Sequence, residues 1–264
     1  MGAVYDRELP TLELMRDWDG ATYDRVADPM TRWGSVVLDR LPLAGDETVL
    51  DAGCGSGRVT EELLERLPGG RVIAADAAPS MLVEARRRLA RFGDRVTFVE
   101  CDLGRPLPVE GPVDAVLSTA TLHWVPDHDA LFANLAAVLR PGGRLVAQCG
   151  GAGNVASVHA AAAELLGDGW DGPWHFATPE ETAARLAAAG FVDVETWLHE
   201  EPTPIEVGEP METFLSTVIL RNHVERVPEP ERADFVRRVA ERLPSSTIDY
   251  VRLNILATFG GKPG

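Results

Sequence analysis

The stretch Val49-Leu-Asp51-Ala-Gly53-Cys-Gly55-Ser-Gly57 decides the fold of this chain. A short β-rich run ends in an acid, and a glycine loop then leads into the helical pattern that starts at Arg58. Glycines let backbone N–H groups come close to a ligand, and the dipole of the following helix favours negative charge there. This order predicts a ligand-binding turn at one edge of a parallel sheet.

The spacing of the glycines bears on which ligand is bound. A dinucleotide fingerprint requires the pattern Gly-x-Gly-x-x-Gly. Counted from Gly53, the position of the third glycine holds Arg58, and counted from Gly55 it holds Thr60. The loop therefore disfavours NAD, although an NAD-dependent oxidoreductase is kept as a third alternative.

Short β-rich runs alternate with helical patterns between about residues 48 and 148. This alternation is typical of parallel strands joined by crossover helices. Pro-Gly-Gly-Arg, which occurs at Pro68 and again at Pro141, is expected to end two of these helices. The predicted strands begin at Val49, Arg71, Arg95, Val113 and Arg144, and the predicted helices cover residues 58–67, 80–91 and 129–139.

The flanking regions predict a lid and a cap. Residues 8–41 look helical, whereas residues 150–178 are rich in Gly and Trp and lack a clear period. A capping box at Thr178 and Glu181 starts a helix that ends at Gly190, and an alternating strand follows over residues 191–197. Helices near residues 211–227 and 231–243 then precede a last strand from about Asp249 to Phe259.

These patterns divide the chain into four parts. We expect an N-terminal helical lid (1–45), an α/β core (46–202), a helical cap insertion (203–247), and a last core strand with the C-terminus (248–264). The stretch between the last two strands is too long for a turn, which is why a cap over the sheet edge is predicted there.

Three acids follow three successive predicted strands: Asp51, Asp76 and Asp102. The carboxyl ends of parallel strands form the edge at which open α/β sheets bind ligands. A carboxylate at Asp76 can accept both hydroxyls of a ribose through charge-assisted hydrogen bonds. Taken alone, Asp76 could instead be a solvated acid that caps the next helix. Three acids in one row favour the ligand.

These motifs resemble those of the class I S-adenosylmethionine-dependent methyltransferases, through residues 51–57, Asp76 and Leu139-Arg-Pro-Gly-Gly143. Within that class the chain is similar to the trans-aconitate methyltransferase group, and the resemblance covers nearly the full chain. The resemblance implies an α/β fold, a Rossmann-like seven-stranded methyltransferase sheet with helices on both faces and a helical cap. The residues that carry the subgroup are Trp18, Tyr23, Arg32, Leu122-His-Trp-Val-Pro-Asp-His128, Leu220-Arg221 and Arg252-Leu253.

The same resemblance implies S-adenosyl-L-methionine as the cofactor and assigns residues to its parts. Tyr23 and Arg32 would close over the methionine portion, with Arg32 facing its carboxylate. Asp51 would reach the ammonium group through water, and Asp76 would hold the ribose. The other implied contacts are Gly53, Gly55 and Thr119 near the methionine portion, and Ala77, Met81, Asp102 and Leu103 around the adenine.

The acceptor side offers fewer signals. His123 is either a general base or a packing residue beside Trp124, since imidazole titrates near neutral pH. Arg221 in the predicted cap, or Arg252, could clamp a substrate carboxylate, although a surface ion pair is the ordinary role of an arginine. Candidates for contact with the acceptor are Trp18, Trp124, His175 and Arg221. No metal site is expected, because Asp127, His128 and Asp129 span a turn and a helix start.

Composition limits the partners. The chain has 41 acidic and 25 basic residues, a formal net charge of −16, which repels nucleic acid and anionic lipid. We expect neither as a partner, and no membrane span. The three cysteines, Cys54, Cys101 and Cys149, form no Cys-x-x-Cys pair and suit a reducing cytoplasm. The oligomeric state is left open.

The predicted activity is methyl transfer from S-adenosyl-L-methionine to a small molecule, with the carboxylate oxygen of a trans-aconitate-like acid favoured as acceptor. A carboxylate is ionised at neutral pH and needs no base, whereas a phenol would need His123. The sequence after the fifth strand, Gln148-Cys-Gly-Gly-Ala-Gly-Asn154, departs from the Met-Pro-containing turn expected of a trans-aconitate enzyme. C-, N- or phenol O-methylation of a secondary metabolite, and a non-catalytic cofactor-binding module, stay as alternatives.

Overall fold

A seven-stranded sheet forms the centre of the molecule, as predicted. The computed structural model describes residues 28–167, 170 and 172–261. The strands lie in the order β3-β2-β1-β4-β5-β9-β6, and β9 is antiparallel to both of its neighbours. The strands of this sheet are β1 (Thr48–Ala52), β2 (Arg71–Asp76), β3 (Val96–Glu100), β4 (Val113–Thr119), β5 (Leu139–Gly150), β6 (Phe191–Glu200) and β9 (Val251–Phe259).

Helices connect the strands and cover both faces. One of them begins as the sequence predicts, since Thr178 and Glu181 form the capping box of α6. At the start of α4, Asp127 accepts from Ala130 N, and the helix begins at His128, one residue before the predicted start at Asp129. Among the described residues, the helices flanking the sheet are α1 (Asp28–Leu38), α2 (Arg58–Arg66), α3 (Pro79–Leu89), α4 (His128–Val138), α5 (Ala156–Leu166) and α6 (Pro179–Ala188).

Alternating side chains of each strand supply two apolar cores. In β1, Leu50 packs with α4 and α6 on one face, whereas Val49 packs with α1, α2 and α3 on the other. Because both faces are covered, the central strands are apolar on both sides. This arrangement leaves the carboxyl ends of the parallel strands as the edge open to ligands, as the three acids predict.

A third apolar core holds the cap together. The cap elements are β7 (Thr203–Pro204), α7 (Glu209–Phe214), a π-helical turn (Leu215–Ile219), α8 (Arg221–Glu225), α9 (Arg232–Arg242) and β8 (Thr247–Ile248). The two short strands pair with each other and close the base of the insertion. Buried Phe214, Leu215 and Val239 form the centre of this core.

The cap departs from the sequence prediction in two respects. The single helix expected over residues 211–227 is interrupted by the π-helical turn at Leu215–Ile219. The stretch 150–178, which lacks a clear period, contains α5, and its Val158 and Ala162 pack into the cap core together with Trp33 of α1. The cap core therefore draws on segments outside 203–247, and the four-part division stays a prediction.

In the described residues, no helix has both the length and the apolar character needed to cross a membrane.

Candidate functional site

A cavity of about 210 Å³ lies between the carboxyl ends of the strands and the cap. One half is lined by the glycine loop and by strand ends, among them Gly55, Asp76 and Asp102. The other half is lined by α1, α5, the cap and β9, through residues such as Trp33, Asn222 and Arg252. We call these the strand-end half and the cap half.

The glycine loop after β1 is held against β2 by its backbone. Gly53 N and Cys54 N both donate to Ala75 O, at 2.8 and 2.9 Å. Gly53 has φ +86°, and a Cβ there would lie 2.1 Å from Thr121 Oγ1. Gly55 has φ +54°, but no atom lies within 4 Å of the position of its Cβ. Gly53 is thus required by packing, whereas Gly55 leaves open space toward the cavity.

Asp76 connects the loop to the start of α3. Its Oδ2 accepts from Gly55 N at 2.8 Å and its Oδ1 from Ala78 N at 2.9 Å. Burial raises the pKa of this carboxyl, and the backbone hydrogen bonds oppose that shift. Asp76 is therefore part of the cavity wall and at the same time a backbone acceptor at the start of α3.

Asp51 lies behind the loop and does not line the cavity. It is 1% exposed; its Oδ2 accepts from Thr60 Oγ1 at 2.6 Å, and its Oδ1 has no partner among the described residues. Burial raises the pKa of Asp51 to about 7. The hydrogen bond from Thr60 lowers this pKa, and the negative charge of Asp76 raises it. An unpaired buried carboxylate oxygen is costly, so this position suits a nearby cationic ligand.

The remaining strand-end residues surround the same space. Asp102 Oδ1 accepts from Gly104 N at 2.8 Å, which fixes the turn after β3. Ala120, directly after β4, has φ +57°, a conformation that a non-glycine residue seldom adopts. Strained backbone of this kind is common at functional sites. Asp102, Ala120, Ala77, Met81, Leu103, Thr119 and Thr121 line the cavity.

The cap half presents hydrogen-bond donors. Trp33 Nε1 and Asn222 Nδ2 are buried and have no partner within the residues that the structure describes. Arg252 is 3% exposed and its guanidinium lies over the Trp33 ring at 4.9 Å, while Arg221 is half-buried on α8 and 3.8 Å from Glu225. All four named donors line the cavity, so this half suits an anion that accepts several hydrogen bonds.

Aromatic rings cover the rest of the cap half. The rings of Trp174 and Phe176 are nearly parallel, with 5° between their planes and 6.1 Å between their centroids. His159 stacks on Trp174 at 4.8 Å, and Trp124 meets Trp174 edge to face at 5.5 Å. All four side chains line the cavity. Such walls exclude water and leave few polar groups to compete with the arginines.

His123 lines the cavity as a hydrogen-bond donor. Its Nδ1 accepts from Gly150 N at 3.3 Å, so the proton of the neutral ring is on Nε2. Burial lowers the pKa of His123 well below its usual range, and the nearby charges of Arg252 and His128 lower it further. In this neutral ring Nδ1 accepts a hydrogen bond and Nε2 carries the proton, so Nε2 has no lone pair with which to take another proton. The geometry therefore gives no support to the expected general base.

Besides Asp51, two predicted site residues are not brought to the cavity. Arg32 is 71% exposed and lies 3.8 Å from Glu201, because its helix turns Trp33, the next residue, inward instead. His175 lies in an extended segment between two cavity-lining rings, so its side chain points away from them. There it packs on His128 at 4.5 Å and meets Arg185.

The other predicted residues divide into two groups. Trp18 and Tyr23 lie outside the described residues. His123, Trp124, Arg221 and all the predicted cofactor contacts other than Tyr23, Arg32 and Asp51 line the cavity. Trp33, Asn222 and Tyr250 line it without having been predicted, and burial makes Arg252 more prominent than the sequence suggested. No three His, Cys, Asp or Glu residues in the described ranges are placed to hold a metal ion.

The strand-end half fits S-adenosylmethionine. Beside Gly55 no atom lies within 4 Å of the position of a Cβ, so the backbone there is open to the cavity. Asp76 and Asp102 place two carboxylates on its wall, groups that can accept hydrogen bonds from a ribose or an adenine amino group, and Asp51 Oδ1 has no partner among the described residues. The cavity therefore has the donor and acceptor groups that this cofactor requires.

Comparisons with known proteins point the same way. A family model described as a methyltransferase domain matches residues 49–143. The trans-aconitate 2-methyltransferase of Paracidovorax citrulli is 33% identical over 235 residues, which cover 84% of this chain and 87% of that protein. That of Methylobacterium nodulans is 42% identical over 134 residues, 51% of this chain and about half of that protein.

Solved structures show the same fold. Phosphoethanolamine N-methyltransferase 2 of Haemonchus contortus, in complex with S-adenosyl-L-methionine, matches 92% of this chain and 57% of its own with a TM-score of 0.62. The two sequences are 19% identical, so the likeness concerns the architecture alone.

Proposed function

The chain belongs to the trans-aconitate 2-methyltransferase family, and from this premise we propose that it methylates a carboxylate oxygen of a small, trans-aconitate-like acid. The protein is an S-adenosylmethionine-dependent methyltransferase. The proposal concerns the acceptor, which the cap half of the cavity would bind.

One observation carries the proposal: the cap half combines two arginines with buried donors that have no partner in the described part of the chain. Trp33 Nε1 and Asn222 Nδ2 are such donors, and they line the cavity together with Arg221 and Arg252. A buried donor without a partner costs about 1–3 kcal/mol. A carboxylate in the cavity would relieve this cost and meet the two guanidinium groups, so an anionic acceptor suits the site.

The residues of the strand-end half would hold the cofactor. The backbone of the Gly53–Gly55 loop and the Asp76 carboxylate would bind its polar groups, with Met81 and Leu103 against the adenine. When bound, S-adenosylmethionine supplies a methyl group on an electrophilic sulfonium. The chain's own task is then to align the acceptor, because correct orientation alone accounts for about 7–11 kcal/mol of a barrier in favourable cases.

The cap half would orient the acceptor without taking a proton from it. A carboxylic acid is ionised at neutral pH, so its oxygen is ready to attack. Arg252 and Arg221 would hold the carboxylate, and the neutral His123 would donate from Nε2. The apolar walls at Val155 and Ile219 would exclude water, which makes the carboxylate more reactive.

The same proposal includes a small-molecule acceptor and a cytoplasmic location. The two halves of the cavity would take the cofactor and a small acid side by side, and the net charge of −16 opposes binding to nucleic acid. Cys54, Cys101 and Cys149 are free thiols, which suits a reducing compartment.

The test is an assay of the purified enzyme with S-adenosylmethionine and trans-aconitate, followed by related di- and tricarboxylic acids, phenols and amines. We expect S-adenosylhomocysteine to form with an acid, and the product to be a methyl ester that alkali returns to the acid. Methylation of a phenol or an amine, with every acid inert, would contradict the proposal.

Arg252→Met provides the variant for this assay. We expect the KM for the acid to rise by about thirtyfold or more, since truncating one partner of a buried charge pair costs about 2–5 kcal/mol. S-adenosylhomocysteine should still bind within about twofold of the wild type. Arg71→Met removes an exposed arginine from β2, outside the cavity, and is the matched control that should change neither value.

A further inference from the structure

Two buried amides connect Arg252 to the interior of the sheet. Gln148 is 3% exposed and Asn254 is fully buried, and the two residues are paired between β5 and β9. Arg252 lies two residues before Asn254 on β9, so both side chains project from the same face of the sheet. A buried amide without hydrogen bonds would be unfavourable, so each of these side chains is expected to be bonded.

The hydrogen bonds fix the orientation of both amides. Arg40 Nη1 donates to Asn254 Oδ1 at 2.5 Å, and Gln148 Nε2 donates to the same oxygen at 2.9 Å. Gln148 Oε1 therefore faces Arg252 and accepts from its Nε at 3.3 Å. An arginine has no acceptor, so neither amide can be turned around without losing a bond.

The chain of bonds continues to the protein surface. Asn254 Nδ2 lies 2.8 Å from His199 Nδ1, which must accept, so the neutral imidazole carries its proton on Nε2. His199 Nε2 lies 3.2 Å from Glu201 Oε2, and Glu201 forms the 3.8 Å ion pair with Arg32. Along this series every hydrogen bond is donated in the same direction, from Arg252 through the two amides and His199 to Glu201. Each buried polar atom named here has a partner.

The orientation of Arg252 follows from these contacts. Its Nε is bound by Gln148, and its guanidinium lies over Trp33. A carboxylate in the cavity would therefore meet the edge of the guanidinium that carries the two Nη groups. An arginine side chain has many rotamers, and fixing one of them before binding increases affinity for a planar anion.

We propose that Gln148, supported by Asn254, is a positioning residue that orients Arg252 toward the acceptor carboxylate. This inference rests on the proposed function in so far as it concerns an acid. Its structural content, the bond from Arg252 Nε to Gln148, can be tested separately.

The kinetic test uses Gln148→Met, which has a similar volume but no amide. We expect the KM for the acid to rise about tenfold, with affinity for S-adenosylhomocysteine unchanged. In the background of Arg252→Met the same substitution should have no further effect, because Gln148 acts through Arg252. Additive effects in this double-mutant cycle, or an unchanged KM, would overturn the proposal.

Two further variants guard against a trivial result. Gln148→Asn keeps the amide but is one methylene shorter, and we expect this variant to raise the KM for the acid as Gln148→Met does. If Gln148→Met does not bind S-adenosylhomocysteine, Gln148→Asn takes its place in the test. Thr196→Val removes the bond from Thr196 Oγ1 to Pro179 O at 2.9 Å, elsewhere in the same sheet. This control should leave the KM for the acid unchanged.

The structural test needs no acceptor. In enzyme labelled with ¹⁵N-arginine and saturated with S-adenosylhomocysteine, the Nε–H signal that Arg252→Lys abolishes is the signal of Arg252. We expect this proton to exchange slowly in the wild type and faster in Gln148→Met. Unchanged exchange would refute the positioning role even if no acid were methylated, whereas an inert acid series with faster exchange would refute only the proposed acceptor.

Discussion

The two halves of the cavity are built in opposite ways. The strand-end half consists of backbone groups, glycines and carboxylates such as Asp76, which stand at the ends of neighbouring strands. The cap half consists of side chains, cationic or donating, from α1, α5, the insertion and β9. One half suits a cationic nucleoside and the other an anionic acid, so the two halves favour ligands of opposite charge.

The strand-end half depends on local contacts, whereas the cap half depends on contacts between distant parts of the chain. The loop at Gly53–Gly55 and its acid partner on β2 meet because a parallel β-α-β unit always places them side by side. Gln148 and Asn254, by contrast, are 106 residues apart and meet only through the register of β5 against β9. Substitutions should therefore affect one half without the other, and the following predictions test that separation.

The largest effect is expected for Asp76→Ala. This variant loses the bonds to Gly55 N and Ala78 N and the proposed ribose contacts. At about 1.5–3 kcal/mol for each charge-assisted bond, titration calorimetry should show S-adenosylhomocysteine binding roughly a thousandfold weaker. Asp114→Ala, which removes a carboxylate bound to Thr48 N and Arg140 outside the cavity, is the control and should bind normally. Equal weakening in both variants would mean a loss of fold.

Trp33→Phe should affect the other half. The ring under Arg252 remains, but the buried Nε1 donor is lost. We expect the KM for the acid to rise by about ten- to a hundredfold, the value of a hydrogen bond to a charged group. Affinity for S-adenosylhomocysteine should not change, and the free enzyme should unfold at the same or a slightly higher temperature. An unchanged KM would exclude Trp33 Nε1 from acceptor binding.

The pH dependence of cofactor binding should report on Asp51. Burial raises the pKa of Asp51 to about 7, so the carboxyl is mostly neutral at pH 6 and mostly charged at pH 7.5. A charged Asp51 favours a cationic ligand, so affinity for S-adenosylmethionine should rise with pH in this range, by at most about tenfold. Calorimetry at both pH values measures this change in affinity, and the affinity of Asp51→Asn should not depend on pH in this range.

Stability should respond in the opposite direction. Because the folded-state pKa lies above the unfolded one, the folded protein holds the proton of Asp51 between about pH 4 and 7. Its contribution to stability is present below this window and is lost as the pH rises through about 7. Without cofactor, Asp51→Asn should melt above the wild type at pH 8. A lower melting temperature would show that the carboxylate is stabilising there.

The smallest effect is expected for His123→Gln. Glutamine keeps a donor at the cavity, and a carboxylate acceptor needs no base, so kcat should stay within about threefold. Because the pKa of His123 is lowered well below its usual range, the wild-type pH profile should show no acidic limb due to this residue. A hundredfold loss of kcat in the variant would restore the general-base role.

Sequence patterns predicted the strand-end half well for a physical reason. The glycine loop, Asp76 and Asp102 are each adjacent to a strand that has a clear apolar run, so position along the chain fixes position in space. The capping box at Thr178 was predictable because its bonds join residues three apart. The alternation predicted the five parallel strands, the resemblance implied the seven-stranded sheet, and the order of the strands was not predicted.

The cap half could not be predicted to the same extent. Arg252 is one of many arginines, and only its burial between Trp33 and Gln148 distinguishes it from a surface cation. Trp33 was hidden beside Arg32, since neighbours on a helix point in different directions. No periodic pattern in the sequence indicated the π-helical turn at Leu215–Ile219.

The position of β9 has a consequence for how the protein is made. β9 is the last strand of the described sheet in chain order, yet it lies between β5 and β6. Until the ribosome has released Val251–Phe259, those two strands therefore have open edges that can pair with another nascent chain. The same strand carries Arg252, so the proposed acceptor site cannot form before β9 inserts between β5 and β6.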